Sequence, residues 1–94
     1  MGETRELEAQ IARLFAEQLQ ADVPSPDVDL FAAGIVDSLM FVKLLAALED
    51  RFALRVSFEE LEIDDFRTLR QIAAFVAAKQ DRIARRAPHD ALHN

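Results

Sequence analysis

The sequence predicts a small all-α bundle with three main helices and one short third helix. Three observations carry that prediction. Apolar residues recur at three- and four-residue spacing in separate stretches, and no stretch alternates apolar and polar residues over a strand's length. The segments between the periodic stretches hold the Pro, Gly and Asp residues that interrupt helices. A chain of 94 residues, 51% hydrophobic and 30% charged, is expected to form one globular domain with a modest core. Seven Phe, with no Trp or Tyr, supply the bulk of that core. With no Cys, neither a disulfide nor a thiolate metal site can support it.

The first helix is expected from about Thr4 to Ala21, begun by Thr4 or Glu3. Leu7, Ile11, Leu14 and Phe15 fall on its inner stripe, with Glu6, Glu8, Gln10 and Arg13 on other faces. Pro24-Ser25-Pro26-Asp27 stops it, because proline removes a backbone donor and restricts the residue before it. A long loop to Asp37 follows, anchored by Val28, Leu30, Phe31 and Ile35, with Gly34 supplying a backbone angle that other residues resist. The second helix is expected from Ser38 to Phe52, with Phe41, Leu44, Leu45, Leu48 and Phe52 facing the core.

After a connector from Ala53 to Val56, Ser57-Phe58-Glu59-Glu60 reads as a capping box in which Ser57 caps and Glu60 reaches back. It should open the short helix, which Asp64 and Asp65 end, with Phe66 plugging the core. Thr68-Leu69-Arg70-Gln71 offers a second capping box for a last helix through Ala78 or beyond, with Leu69, Ile72, Ala73 and Val76 inside. The domain is therefore expected over residues 1–80. A polar, flexible tail over 81–94 should carry Arg82, Arg85, Arg86, Pro88, His89 and His93.

A net charge of -6 and a pI of about 4.8 argue against nucleic acid, whose phosphates need a basic surface, and favour basic patches on partner proteins. The longest apolar run, Ile72 to Ala78, is too short to span a bilayer. Met1 to Glu6 has neither a signal-sequence pattern nor the Ser or Thr of a myristoylation motif. These features predict a cytoplasmic monomer with no membrane and no nucleic-acid partner. His89 and His93 have i, i+4 spacing but no supporting ligand cluster, so no metal site is expected. A Ser-His-Asp arrangement is disfavoured because both His lie in the tail, where a base cannot be oriented.

The chemistry concentrates in Gly34-Ile35-Val36-Asp37-Ser38-Leu39, which closes the loop and opens the second helix. Unpaired backbone N–H groups and the positive dipole end favour a phosphate at such a place. A serine at a helix start is ordinarily a cap. Here Asp37 is the better-placed cap, which puts Ser38 at the first helical position with its hydroxyl free.

Leu30-Phe31, Gly34 to Leu39, and the helix ending Leu48-Glu49-Asp50-Arg51-Phe52 resemble an acyl or peptidyl carrier protein. Val56, Phe58, Ile63, Asp65-Phe66 and Thr68-Leu69 to Phe75 extend the resemblance over roughly residues 5 to 80. It implies a four-helix carrier fold in which Ser38 receives 4'-phosphopantetheine from coenzyme A, installed by a phosphopantetheinyl transferase that brings its own Mg²⁺. Asp37 matches the family's acidic residue before the serine, which assists recognition by the transferase. The arm's thiol would carry a substrate as a thioester, so the chain itself need supply no catalytic group and is not expected to be an enzyme. Leu39 and Val42 fall at positions that many such carriers use to dock partner enzymes, and Met40, Lys43 and Ile63 are expected to dock partners with them.

Fatty-acid carriers have acidic residues near Met40 and Lys43, where this sequence has an apolar and a basic one. Its negative charge lies instead at Glu49-Asp50 and from Glu59 to Asp65, which speaks against housekeeping fatty-acid synthesis. The Asp64-Asp65-Phe66-Arg67-Thr68 segment resembles free-standing carriers, including the D-alanyl carrier protein and carriers of glyceryl or methoxymalonyl units. The expected function is a stand-alone carrier that takes an acyl group from a loading enzyme and delivers it to an accepting enzyme of a polyketide or other secondary-metabolite pathway. Three alternatives stand beside it: an aminoacyl or D-alanyl carrier charged by an adenylating ligase, an unmodified helical adaptor, and a small hydrolase built on Ser38.

Overall fold

The computed structural model describes the backbone of all residues except Met1, Phe58, Glu60 and Asn94, and the side chains of residues 4–83 apart from Phe58 and Glu60. Its elements, in order, are α1 (Gly2–Gln18), α2 (Ser38–Phe52), a 3-10 turn (Ile63–Phe66) and α3 (Leu69–His93). Among the described residues there is no strand. Three helices and one short helical piece are the architecture expected from the apolar spacing.

The inner stripes assemble as predicted. Leu7, Ile11, Leu14 and Phe15 of α1 meet Phe41, Leu44, Leu45 and Leu48 of α2 and Leu69, Ile72, Ala73 and Val76 of α3, all buried in one core. α1 packs chiefly along α3. The loop residues Leu30 and Val36 are buried as well, whereas Val28, Phe31 and Ile35 are half-buried. Phe52 is only half-buried, because it lies in the last turn of α2 at the rim of the core. Four phenylalanines run through the α2 side of the core as a row. Phe31 to Phe41, Phe41 to Phe66 and Phe66 to Phe75 have ring centroids 5.9, 5.4 and 4.9 Å apart.

The helix ends depart from the sequence reading for identifiable reasons. α1 begins at Gly2 and ends at Gln18, short of Ala21. Gln20 turns left-handed at φ 54, and the Phe15 carbonyl accepts from both Leu19 N–H (3.2 Å) and Ala21 N–H (2.9 Å). The helix is thus closed before Pro24 can act. Glu8, expected on an outer face, is buried where α1 meets α3, 3.8 Å from the Arg70 guanidinium. At the end of α2, Ala53 takes a left-handed conformation (φ 54, ψ 48) and its N–H returns to the Glu49 carbonyl.

The short helix does not open at Ser57. The Ser57 hydroxyl accepts from Glu59 N–H (3.2 Å) as a local turn, and the expected reach of Glu60 lies outside the described residues. The helical turn comes later, at Ile63–Phe66, and contains Asp64 and Asp65 rather than being ended by them. Acids in a first turn suit the positive end of the local dipole. Thr68 caps α3 as expected, its Oγ1 accepting from Gln71 N–H at 3.1 Å, while Gln71 Oε1 accepts from the Thr68 hydroxyl at 3.3 Å. α3 continues past Ala78 to His93, so its backbone is helical through the stretch read as a tail.

Two arginines fasten the long loop to the far side of the fold. Arg70 grips Asp27 with two hydrogen bonds (2.7 and 3.1 Å), and its own N–H bonds the Pro26 carbonyl (3.1 Å). The Arg67 carbonyl accepts from Leu30 N–H at 2.6 Å. The hydrogen bond from Arg70 lowers the Asp27 pKa below its ordinary value. A carboxylate whose folded pKa is depressed stabilises the fold above its unfolded pKa, and loses that contribution as pH falls through the folded one. Urea midpoints of wild type and Asp27→Asn should therefore differ at neutral pH, with wild type higher, and converge in acid below the usual carboxylate range. A constant gap at all pH values would mean the clasp contributes through shape rather than charge.

Candidate functional site

The clasped loop delivers its last residues to the start of α2. Gly34 sits at φ +77 with its N–H on the Phe31 carbonyl (3.1 Å), and an added Cβ would meet nothing within 4 Å. The requirement for glycine there is thus conformational rather than steric. Asp29 steadies the same turn by accepting from Phe31 N–H (3.1 Å) and Ala32 N–H (3.0 Å). The Leu30 carbonyl then takes the N–H groups of Ile35 and Val36 (2.9 and 3.0 Å), which carries the chain into α2.

Asp37 is the cap that the sequence predicts. It is extended (φ -116, ψ -171), its Oδ1 accepts from Met40 N–H at 2.9 Å, and its carbonyl accepts from Phe41 N–H at 2.8 Å. With Asp37 in that role, Ser38 becomes the first helical residue, is exposed, and makes no hydrogen bond to a described residue through its hydroxyl. The other two serines of the chain are engaged: Ser25 Oγ accepts from Asp27 N–H and Ser57 Oγ from Glu59 N–H, each at 3.2 Å. The free helix N–H groups beside Ser38 and the aligned dipole make this hydroxyl the one best placed to carry a phosphate ester.

Ser38 opens onto a groove of about 410 Å³ lined by Phe31, Asp37, Phe41, Ile63 and Arg67 as well as the serine itself. Arg67 is held by Asp64 (2.7 Å) and Asp29 (3.6 Å), with its guanidinium carbon 5.9 Å from the Phe31 ring centre. The hydrogen bond to Asp64 raises the Arg67 pKa further and keeps the group charged. Phe31, Phe41 and Arg67 escaped the sequence reading as site residues. The first two read as core and loop anchors, and nothing local marks Arg67 as a neighbour of Ser38.

The five residues expected to dock partners divide by exposure. Leu39 (65%), Val42 (57%) and Ile63 (51%) are exposed apolar side chains, and Lys43 is exposed beside them. Met40 is half-buried and packs against the core. Among the described residues no group of three or more His, Cys, Asp or Glu could hold a metal, and the side chains of His89 and His93 lie outside those described. No described helix is long and apolar enough to cross a membrane.

Residues 9–76 match the protein family described as the phosphopantetheine attachment site. The chain belongs to that family of carrier proteins. The carrier is 37% identical over 68 residues to the D-alanyl carrier protein of Streptococcus sanguinis, covering 71% of this chain and 86% of the relative. It is 34% identical over 65 residues to the D-alanyl carrier protein of Bacillus velezensis, covering 67% and 83% respectively. Its fold is similar to the crystal structure of an acyl carrier protein from Thermotoga maritima, with a TM-score of 0.70 and 28% identity over 86% of this chain and 94% of that one. The prosthetic group of this family is 4'-phosphopantetheine. The pole around Ser38 fits it chemically, with an exposed, unengaged hydroxyl, unpaired helix N–H groups and an adjoining apolar groove.

Proposed function

We propose that Ser38 is the attachment point of 4'-phosphopantetheine and that the carrier works as a free-standing shuttle between a loading enzyme and an accepting enzyme. The observation that carries this reading is the division of labour at the start of α2. Asp37 satisfies the helix end, so the adjoining hydroxyl is left exposed and uncommitted. When attached, the arm supplies a thiol that holds a cargo as a thioester. Asp37 is proposed to present a negative charge to the transferase while fixing the orientation of Ser38. The chain's own part is presentation rather than catalysis.

The cargo is best read as an aminoacyl group, the class named in the D-alanyl carrier relatives, with an adenylating ligase as the proposed loading enzyme. The similarity to the D-alanyl carrier proteins supports this reading, while the charged lining of the groove, Asp37 and Arg67, is balanced and favours neither sign of cargo. A polyketide-type acyl unit is the second reading, supported by the fold shared with an acyl carrier protein. Charging of phosphopantetheinylated carrier by an adenylating ligase with ATP and D-alanine, followed as a mass gain, favours the first. Charging by a malonyl-type acyltransferase in its place favours the second.

Leu39, Val42, Lys43 and Ile63 are proposed to dock the partner enzymes, with Met40 supporting the patch from beneath. Leu39→Ala should shift the unfolding midpoint little, because the side chain is already mostly in water, yet lower the rate of transfer to a partner by about tenfold, the effect of losing one well-packed interface contact. Melting of the fold with transfer intact would reverse the assignment of helix faces.

A further inference from the structure

The end of the bundle remote from Ser38 gathers basic residues in an otherwise acidic chain. Ser38 and Phe52 open and close α2, which sets the two ends about 21 Å apart along the helix axis. Arg51, Arg55, Lys79, Arg82, Arg85 and Arg86 fall within residues 51–55 and 79–86, where Asp81 is the single acid, with Glu49 and Asp50 directly before the first stretch. This concentration stands out in a chain of net charge -6. The fold brings Arg55, just after α2, together with Lys79 and Arg82 of α3 around one groove of about 210 Å³, which Ala53 and Ile83 also line among the described residues. Ile83 is 44% exposed. Lys79, Asp81 and Arg82 also take part in interactions within the chain, and it is the clustering and sign of the cations that set this end apart.

We infer that this groove docks an acidic segment of a partner protein, with one apolar side chain against Ala53 and Ile83 and flanking carboxylates on Arg55, Lys79 and Arg82. Guanidinium–carboxylate pairs are geometrically specific, and clustered charge of one sign speeds encounter with its complement. A membrane surface is a poorer match. The site is concave, it offers Ile83 as its one large exposed apolar side chain among the described residues, and interfacial helices need a broad apolar face. A second copy, entering through its own Ile63-Asp64-Asp65 face, would join two net-negative chains. Docking at this end leaves Ser38 and its groove open. A partner held there would keep the attachment pole at high effective concentration while enzymes exchange over Ser38. The inference does not depend on Ser38 being modified.

The test is an amide-resolved NMR titration of the full chain with the peptide acetyl-Glu-Glu-Leu-Glu-Glu-amide at low salt. Shifts are expected at Ala53, Arg55, Lys79, Arg82 and Ile83 with Ser38 to Val42 unmoved, and affinity should fall about tenfold in high salt. Arg55→Glu with Arg82→Glu should weaken binding at least about tenfold, the value of losing one charged contact. Arg55→Gln with Arg82→Gln provides a second readout if the reversal disturbs the fold, and both pairs should accept phosphopantetheine at the wild-type rate. Several results would overturn the inference. They are shifts spread equally to Arg13 and Lys43, equal binding of the peptide with Ser in place of Leu, and co-sedimentation with phosphatidylcholine–phosphatidylglycerol vesicles while the peptide is inert. A dimer in ultracentrifugation that the charge reversal abolishes, with the peptide inert, would also overturn it.

Discussion

Ser38→Ala is expected to gain no mass on incubation with coenzyme A and a promiscuous phosphopantetheinyl transferase, while wild type gains one phosphopantetheine. The helical content and melting midpoint should stay at the wild-type level. The side chain is exposed and its hydroxyl is bonded to no described residue, so nothing in the fold is left unpaired by its loss. Alanine is also a good residue for the first helical position. Asp37→Ala separates the two roles at this corner. It removes the bond to Met40 N–H, should cost about 1 kcal/mol as caps do, and should slow modification without abolishing it. Fragment masses locate the group. Modification on Ser25 or Ser57, whose hydroxyls are already engaged in local turns, would remove the basis of the proposed function. An unmodified wild type would favour the adaptor reading, in which the Leu39 and Val42 patch alone does the work.

Phe66→Ala should be among the most destabilising single changes, at about 3–5 kcal/mol, because it empties a large buried volume that helices cannot easily close around. Phe66 is fully buried, sits between Phe41 and Phe75 in the aromatic row, and is the buried residue of the 3-10 turn. Small domains are stable by only about 5–15 kcal/mol, so this one ring commands a large share. The same ring fixes the turn that brings Ile63 to the rim of the Ser38 groove and places Arg67 directly after it. Urea denaturation is expected to show a lowered midpoint with an unchanged slope, and the modified variant should dock partners less well even under conditions where it is folded. Leu48→Ala, also fully buried, should cost about 2–5 kcal/mol, and Phe52→Ala less, because Phe52 is half in water. A Phe66→Ala loss below that of Phe52→Ala would mean the row is not the keystone of the α2 side.

The features legible in the sequence are those that depend on a few neighbouring residues. The i, i+3, i+4 stripes gave the right core on all three helices, because a residue's face on a helix is set by position alone. Asp37 and Thr68 were legible as caps because capping is a contact over two or three residues. The Ser57 box was equally well formed as a string, yet the described helical turn comes later, at Ile63–Phe66, where Phe66 is the side chain that docks in the core. Gln20 and Ala53 end their helices in left-handed conformations that neither residue advertises. The backbone hydrogen bonds that close these ends, Ala21 N–H to the Phe15 carbonyl and Leu54 N–H to the Glu49 carbonyl, offset the roughly 1–2 kcal/mol that a non-glycine residue gives up there.

The sequence by itself determined an all-α domain, its core stripes, and a serine displaced to the first helical position by an aspartate that caps in its place. Each of these follows from helical periodicity or from hydrogen bonds within one turn, which need no knowledge of the rest of the chain. Only the tertiary structure decided which distant residues stand around that serine. Phe31, Ile63 and Arg67 reach it from a loop and a 3-10 turn because Phe66 and the Arg70–Asp27 clasp anchor those segments. It also gathered Arg55, Lys79 and Arg82 into one groove at the other end. Contacts between residues far apart in the chain come from how whole faces pack, and no short window of sequence contains both partners.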